Sequence, residues 1–137
     1  MPQGGSLERA IGSPERTNKE QRTMLIYTVT CEYEGDDPAA WRTYLAWLME
    51  GHLAEVCAGG ALEAWLLLPD RDADPAAAAR PLARAVYRFA SRAAFADYER
   101  DAAPRLRAEG LRRFPAAAGF RFSRELAAVA AVAGGSA

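Results

Sequence analysis

The chain has 137 residues, half of them hydrophobic, with 17 basic residues against 18 acidic ones and a formal charge of -1. That length suits one domain with a buried core, and so even a charge balance lacks the clustered basic face expected of a nucleic-acid binder. No apolar run approaches the roughly 20 residues that span a bilayer, and the amino end has no apolar h-region. No membrane span and no signal peptide are therefore expected, and the cytoplasm is the default location.

Residues 1–23, "MPQGGSLERAIGSPERTNKEQRT", are polar and rich in Gly, Ser, Pro and charge, without an apolar period. They read as a disordered tail, with only a weak helical stretch at Ser6 to Ile11. Order is expected to begin at Met24, which is also a candidate for the true start. The sole lysine, Lys19, lies in this tail, so the domain offers no Schiff-base lysine.

"MLIYTVTCEY" alternates. Leu25, Tyr27, Val29, Cys31 and Tyr33 share one face, and Ile26, Thr28 and Thr30 the other, which makes this the clearest strand. "EGDDP" breaks it. Asp37 can cap a helix that takes Pro38 in its first turn. That helix should run to about Cys57 and stop at Gly59 and Gly60. "ALEAWLLL" is a second strand, and the Pro-bounded "PDRDADPAAAARP" a loop. "LARAVYRFA" is a third strand. Ser91 then caps a second helix, which Pro104 should kink or divide. "AGFRFSREL" is the last strand, with Phe120, Phe122 and Leu126 on one face. Residues 128–137 read as a flexible, low-complexity tail whose start can extend the strand before it frays.

The order β-α-β-β-α-β over residues 24–127 is the ferredoxin-like split βαβ arrangement, an α+β fold with a four-stranded antiparallel sheet and both helices on one face. The other face, with Ile26, Thr28 and Thr30, is too apolar to be left in water. Face-to-face pairing into a homodimer is the expected solution.

Three segments carry a family resemblance: "MLIYTVTCEY" in the first strand, "W..WLMEGHLAEV" in the first helix and "AAPRLRAEGLRRF" in the second. The chain resembles the uncharacterised bacterial family called domain of unknown function 4286, of the dimeric α/β-barrel group. The likeness spans about residues 24–127 and rests on Trp47 with His52 and Glu55, and on the run Ala103 to Arg107 with Gly110 and Phe114. It implies the fold and a dimer, and no particular reaction. Related barrel groups include cofactor-independent monooxygenases, isomerases and cyclases, which are analogues at the level of fold. The loop from Pro69 to Pro81 is longer here than the pattern, which bears on ligand identity if it borders the pocket.

His52 is the only histidine. At about 100° per residue and with Trp41 at zero, His52 falls near 20°, between Leu45 near 40° and Leu48 near 340°. It is expected at the centre of the apolar face, aimed at the sheet. On the same count Tyr44 and Glu55 flank the stripe near 300° and 320°, while Trp47 and Glu50 lie well off it.

Two readings of His52 stay open. It can be a buried structural histidine, hydrogen-bonded to a backbone carbonyl or to Tyr27. It can instead line a cavity and serve as general acid or base, with Glu55 orienting it, raising its pKa, or simply standing at the rim. Tyr27, Tyr44, Tyr87 and Tyr98 can donate hydrogen bonds to a ligand or be core aromatics. Arg105 and Arg107 can clamp an anion, or form a solvated helix face paired with Asp101 or Glu109.

Cys31 and Cys57 are not spaced as CxxC and read as two small buried hydrophobes. One histidine with scattered carboxylates makes a transition-metal site improbable. No phosphate loop, nucleophile elbow or dinucleotide fingerprint occurs. The sequence therefore supports a small organic ligand and a cofactor-free enzyme using His52 and Tyr27. The alternative is a non-catalytic dimer that binds a ligand or a protein, with a filled core around His52.

Overall fold

The alternation of "LIYTVTCEY" forms β1, Leu25–Tyr33, in which Leu25, Tyr27, Cys31 and Tyr33 are buried. The computed structural model describes residues 22–134. The expected disorder of the tail falls almost wholly outside them. After β1, the Asp37 carboxylate accepts from the Ala39 N–H and starts α1, Pro38–Trp47, with Pro38 in the first turn. The helix then widens into a π-helical segment, Leu48–His52, before resuming as α2, Leu53–Ala58. Gly59 and Gly60 end it, and Gly60 has φ +138°, a backbone conformation that L side chains rarely adopt.

β2, Glu63–Leu67, is short and lies at an edge. The long loop carries one small element, α3, Pro75–Ala78, capped by Asp74. β3, Leu82–Phe89, follows. The Ser91 hydroxyl accepts from the Ala94 N–H and caps α4, Arg92–Asp101. The second helix is divided, as Pro104 predicts: α5 runs Ala103–Arg113 with the proline in its first turn. A 3₁₀ turn, Ala116–Ala118, leads into β4, Phe120–Ala128. β4 outlasts the predicted boundary, because Ala128 pairs with Leu25 and the Val129 N–H donates to the Met24 carbonyl at 2.9 Å.

The strand order is β2-β3-β1-β4 and every pairing is antiparallel, which is the ferredoxin-like sheet. Tyr27 stands opposite Tyr87 on β3 and Leu126 on β4. Directly opposed residues share a face, so Phe120, Phe122, Arg124 and Leu126 point to the same side as Tyr27. Leu48, Val56, Tyr98, Leu106 and Phe114 of the helical layer meet that face in one core.

The opposite face carries Ile26 and Thr28 of β1, Val86 of β3, and Trp65 and Leu67 of β2, by the same register. Trp65 is 40% and Leu67 48% exposed, while Ile26 and Val86 are half-buried. Arg88 crosses to Glu63 on this face at 2.8 Å. Among the described residues no helix is long and apolar enough to cross a membrane.

Candidate functional site: a cleft between the helices and the sheet

Tyr27 and Val29 of β1, Tyr87 of β3, and Phe122 and Arg124 of β4 form the floor of a cleft open at its mouth. The helices supply the opposite wall, with Trp47, Leu48, His52 and Val56 on one side and Leu106, Arg107 and Gly110 on the other. Its volume is about 50 Å³. A single water needs about 10–15 Å³ on such a measure, so the space suits something small or flat. Outside it lies a broader depression of about 440 Å³, lined by Thr43, Glu50, Gly51 and Glu55 and sharing Trp47 and His52 with the cleft.

The widened turn sets this arrangement. The Leu53 N–H donates to the Leu48 carbonyl, five residues back. In an α-helix, residues five apart stand about 140° apart around the axis; an i→i+5 turn brings them nearly over one another. Trp47 and His52 accordingly stack, with ring centroids 4.1 Å apart and planes at 20°. Trp47 is thus drawn onto the core side, against the expectation from a uniform 100° step, and its ring packs on Phe114.

The same wide turn rotates later residues backward. Val56 is the buried residue of the stripe, and Glu55 stands at the rim, one of the places the sequence left open to it, 3.9 Å from Arg105. Glu55 therefore does not orient His52, and Arg105 pairs with Glu55 rather than with Asp101 or Glu109.

His52 is half-buried, and its Nδ1 is buried with no hydrogen-bond partner among the described residues. Neither a backbone carbonyl nor Tyr27, the partners open to a structural histidine, bonds this nitrogen among the described residues. Burial pushes the imidazole down from its usual range to about 4, against a smaller upward pull from the carboxylate of Glu109. At neutral pH His52 is uncharged, so its resting role is to accept a proton or to hydrogen-bond, and not to act as an acid.

The Tyr27 hydroxyl accepts from Arg107 Nη2 at 3.1 Å. The same Nη2 donates to Glu99 in a short ion pair, while Arg107 Nε is buried with no partner among the described residues. Burial pulls the Arg107 pKa down, but its bonds to Tyr27 and Glu99 outweigh that and hold it charged. Arg107 is neither a solvated-face residue nor paired with Asp101 or Glu109.

Tyr44, Tyr87 and Tyr98 also line the cleft, and burial raises each phenol, that of Tyr98 to about 12. All three stay protonated at neutral pH and can donate. Tyr98 feels both Arg107 and Arg124, each of which pulls its pKa back down. Cys31 is fully buried beside Tyr44 with its thiol pushed up to about 12, and both cysteines are free. No group of three or more metal-ligating side chains converges among the described residues.

The structure brings together His52, Tyr27, Tyr44, Tyr87, Tyr98 and Arg107, and leaves Glu55 outside. It adds Trp47, Glu99, Glu109 and Arg124. Arg124 was legible, since it continues the alternation of Phe120 and Phe122. Trp47 was not, because the π turn has no sequence signature. Glu99 and Glu109 depended on how the two helices meet the sheet.

No family model matches the chain, and no curated protein is recognisably similar to it in sequence. The solved structures it resembles share its fold. A dimeric ferredoxin-like protein from an uncultured marine organism is 12% identical with a TM-score of 0.58, over 81% of this chain and 99% of that one. A variant of SnoaB, a cofactor-independent oxygenase from Streptomyces nogalater, is 16% identical with a TM-score of 0.53, over 80% of this chain and 95% of that one. A second dimeric ferredoxin-like protein from an uncultured marine organism is 9% identical with a TM-score of 0.53, over 80% and 97%.

Proposed function

We propose that this chain is a homodimeric small-molecule enzyme that works without a cofactor, with His52 as the proton acceptor and Tyr27 or Tyr98 as hydrogen-bond donor. The observation that carries this reading is the His52 Nδ1, a buried ring nitrogen with no partner among the described residues, in the wall of an open cleft. A structural histidine ordinarily has its buried nitrogens satisfied. The same cleft is lined by the Tyr44, Tyr87 and Tyr98 hydroxyls, which burial keeps protonated and which can polarise a carbonyl or phenol.

The chemistry would be proton transfer within a bound substrate, of isomerase, cyclase or monooxygenase type. A base with a pKa near 4 is weak, so the substrate must carry a proton acidified by the tyrosine donors. The fold-level likeness to a cofactor-independent oxygenase favours this class over a pure interaction module. Membership of the family called domain of unknown function 4286 belongs to the same proposal, through Trp47, His52 and the Ala103 to Arg107 run. The homodimer is supported by the exposed apolar sheet face and by the two dimeric neighbours.

The test is turnover of small phenols and cyclic ketones by chelator-treated protein, followed by mass spectrometry. His52→Ala, shown to be folded by circular dichroism, should lose all turnover. Unchanged turnover in that variant would sink the assignment.

A further inference from the structure

We infer that the ligand of this cleft is a planar organic mono-anion of about one ring, its charged oxygens held jointly by Arg107 and Arg124. This rests on the cleft being a small-molecule site and adds the chemical class of what it takes.

Three observations point the same way. First, Arg107 uses Nη2 on Tyr27 and Glu99, and its buried Nε has no partner among the described residues. A guanidinium presents several N–H donors in a fixed fork that matches a carboxylate. Leaving one buried without a partner is costly, and an anionic oxygen in the cleft would satisfy it.

Second, Arg124 lines the same cleft and makes no ion pair among the described residues. It stands opposite Val29 on the helix-facing side of the sheet, and it acts together with Arg107 on the Tyr98 phenol. Around the Tyr98 phenol the charged groups are Arg107, Arg124 and the carboxylate of Glu99, while Glu109 acts on His52 at the other end. Two positive charges and one negative leave a surplus of one, which a singly charged ligand neutralises.

Third, the remaining walls are apolar or aromatic, from Val29, Leu48, Leu106 and Phe122 to Trp47, and the space is narrow. That suits a flat ring better than a bulky or multiply charged molecule. Arg107 and Gly110 lie one turn apart on α5, and a β-carbon built on Gly110 would meet Trp47 at 3.4 Å. The anion end and the Trp47–His52 pair are therefore separated by about one helical pitch, roughly 5 Å. A single ring bridges that span, with its charge at the arginines and its far edge at His52. An anion held there also favours the protonated imidazole, which strengthens a base that burial alone has weakened.

The probes are benzoate and its neutral isostere benzamide, followed through the imidazole signals of His52 and by calorimetry. Benzoate is expected to shift those signals and to bind more than tenfold tighter than benzamide, the range for hydrogen bonds to a charged group. Arg124→Gln is the decisive variant, since Arg124 is exposed and makes no ion pair among the described residues. It should weaken benzoate severalfold and leave benzamide unchanged. Arg107→Lys, if folded, should do the same more strongly, because it keeps the charge and loses the fork.

If benzoate and benzamide bind alike, or if Arg124→Gln leaves benzoate affinity unchanged, the anion assignment falls while the cleft remains a ligand site. If neither probe, nor neutral phenol, disturbs His52 at millimolar concentration, the cleft reading itself fails and the inference falls with it.

Discussion

Trp47 and His52 stack face to face across an i→i+5 turn, with ring centroids 4.1 Å apart. The indole covers one face of a ring whose Nδ1 is already cut off from water. Removing the indole should therefore change stability and proton affinity together. Trp47→Ala is expected to cost about 2–3 kcal/mol, below the range for a fully buried aromatic because Trp47 is half-buried. The His52 pKa should climb from about 4 back toward its ordinary 6.5 as water reaches it. Denaturant unfolding and an NMR titration of the single histidine measure the two effects. A pKa unmoved in a variant that is clearly destabilised would mean that the sheet side, and not Trp47, desolvates the ring.

The same shift makes stability depend on pH. The folded imidazole titrates near 4 and the unfolded one near 6.5. Between those values the unfolded state holds the proton and the folded state does not, so protons favour unfolding. His52's contribution is therefore flat above about pH 6.5, falls as pH drops toward 4, and levels off below. The full span is up to about 3 kcal/mol at 1.36 kcal/mol per pKa unit. Urea midpoints at pH 7 and pH 4.5 should differ accordingly, and His52→Asn should lack that part of the slope. Equal slopes in both proteins would assign the acid sensitivity to the carboxylates instead.

The Ser91 cap is a local feature with a local cost. Its hydroxyl accepts the Ala94 N–H at 3.0 Å and holds the start of α4. Ser91→Ala should lower stability by about 1 kcal/mol, with the benzoate response of His52 preserved. Thermal melts and the NMR probe together separate this from any effect on the cleft.

The exposed sheet face predicts the assembly. Trp65 and Leu67 stand beside Val86 on the side away from the helices. A charge placed there would have to be buried in a face-to-face dimer, at several kcal/mol. Val86→Arg should therefore shift the protein to monomer in sedimentation velocity while the far-UV spectrum of the monomer is kept. A monomeric parent protein under the same conditions would remove the homodimer from the proposal.

Much of the architecture was legible in the sequence, because strand alternation, Asp37 and Ser91 as caps, and Pro104 as a break act locally. Their signals lie within a few residues of one another, so a chain read alone reveals them. The β-α-β-β-α-β order and the burial of Tyr27 followed from those signals. So did the idea that His52 faces inward.

The cleft was legible only in part. Trp47 lies on the core side and not off the stripe for one physical reason, which is that the helix does not turn 100° at every residue. The π turn at Leu48–His52 inserts a wider step that no residue type announces, and it moves Trp47 in. The partners of Arg107 were hidden because Tyr27 lies 80 positions away in the chain. The sequence alone determined which residues could turn inward and which elements would carry them, since that is fixed by local period and propensity. Only the tertiary structure decided which charges meet in the cleft and that His52 stays neutral, since both depend on distance and desolvation between segments remote in sequence.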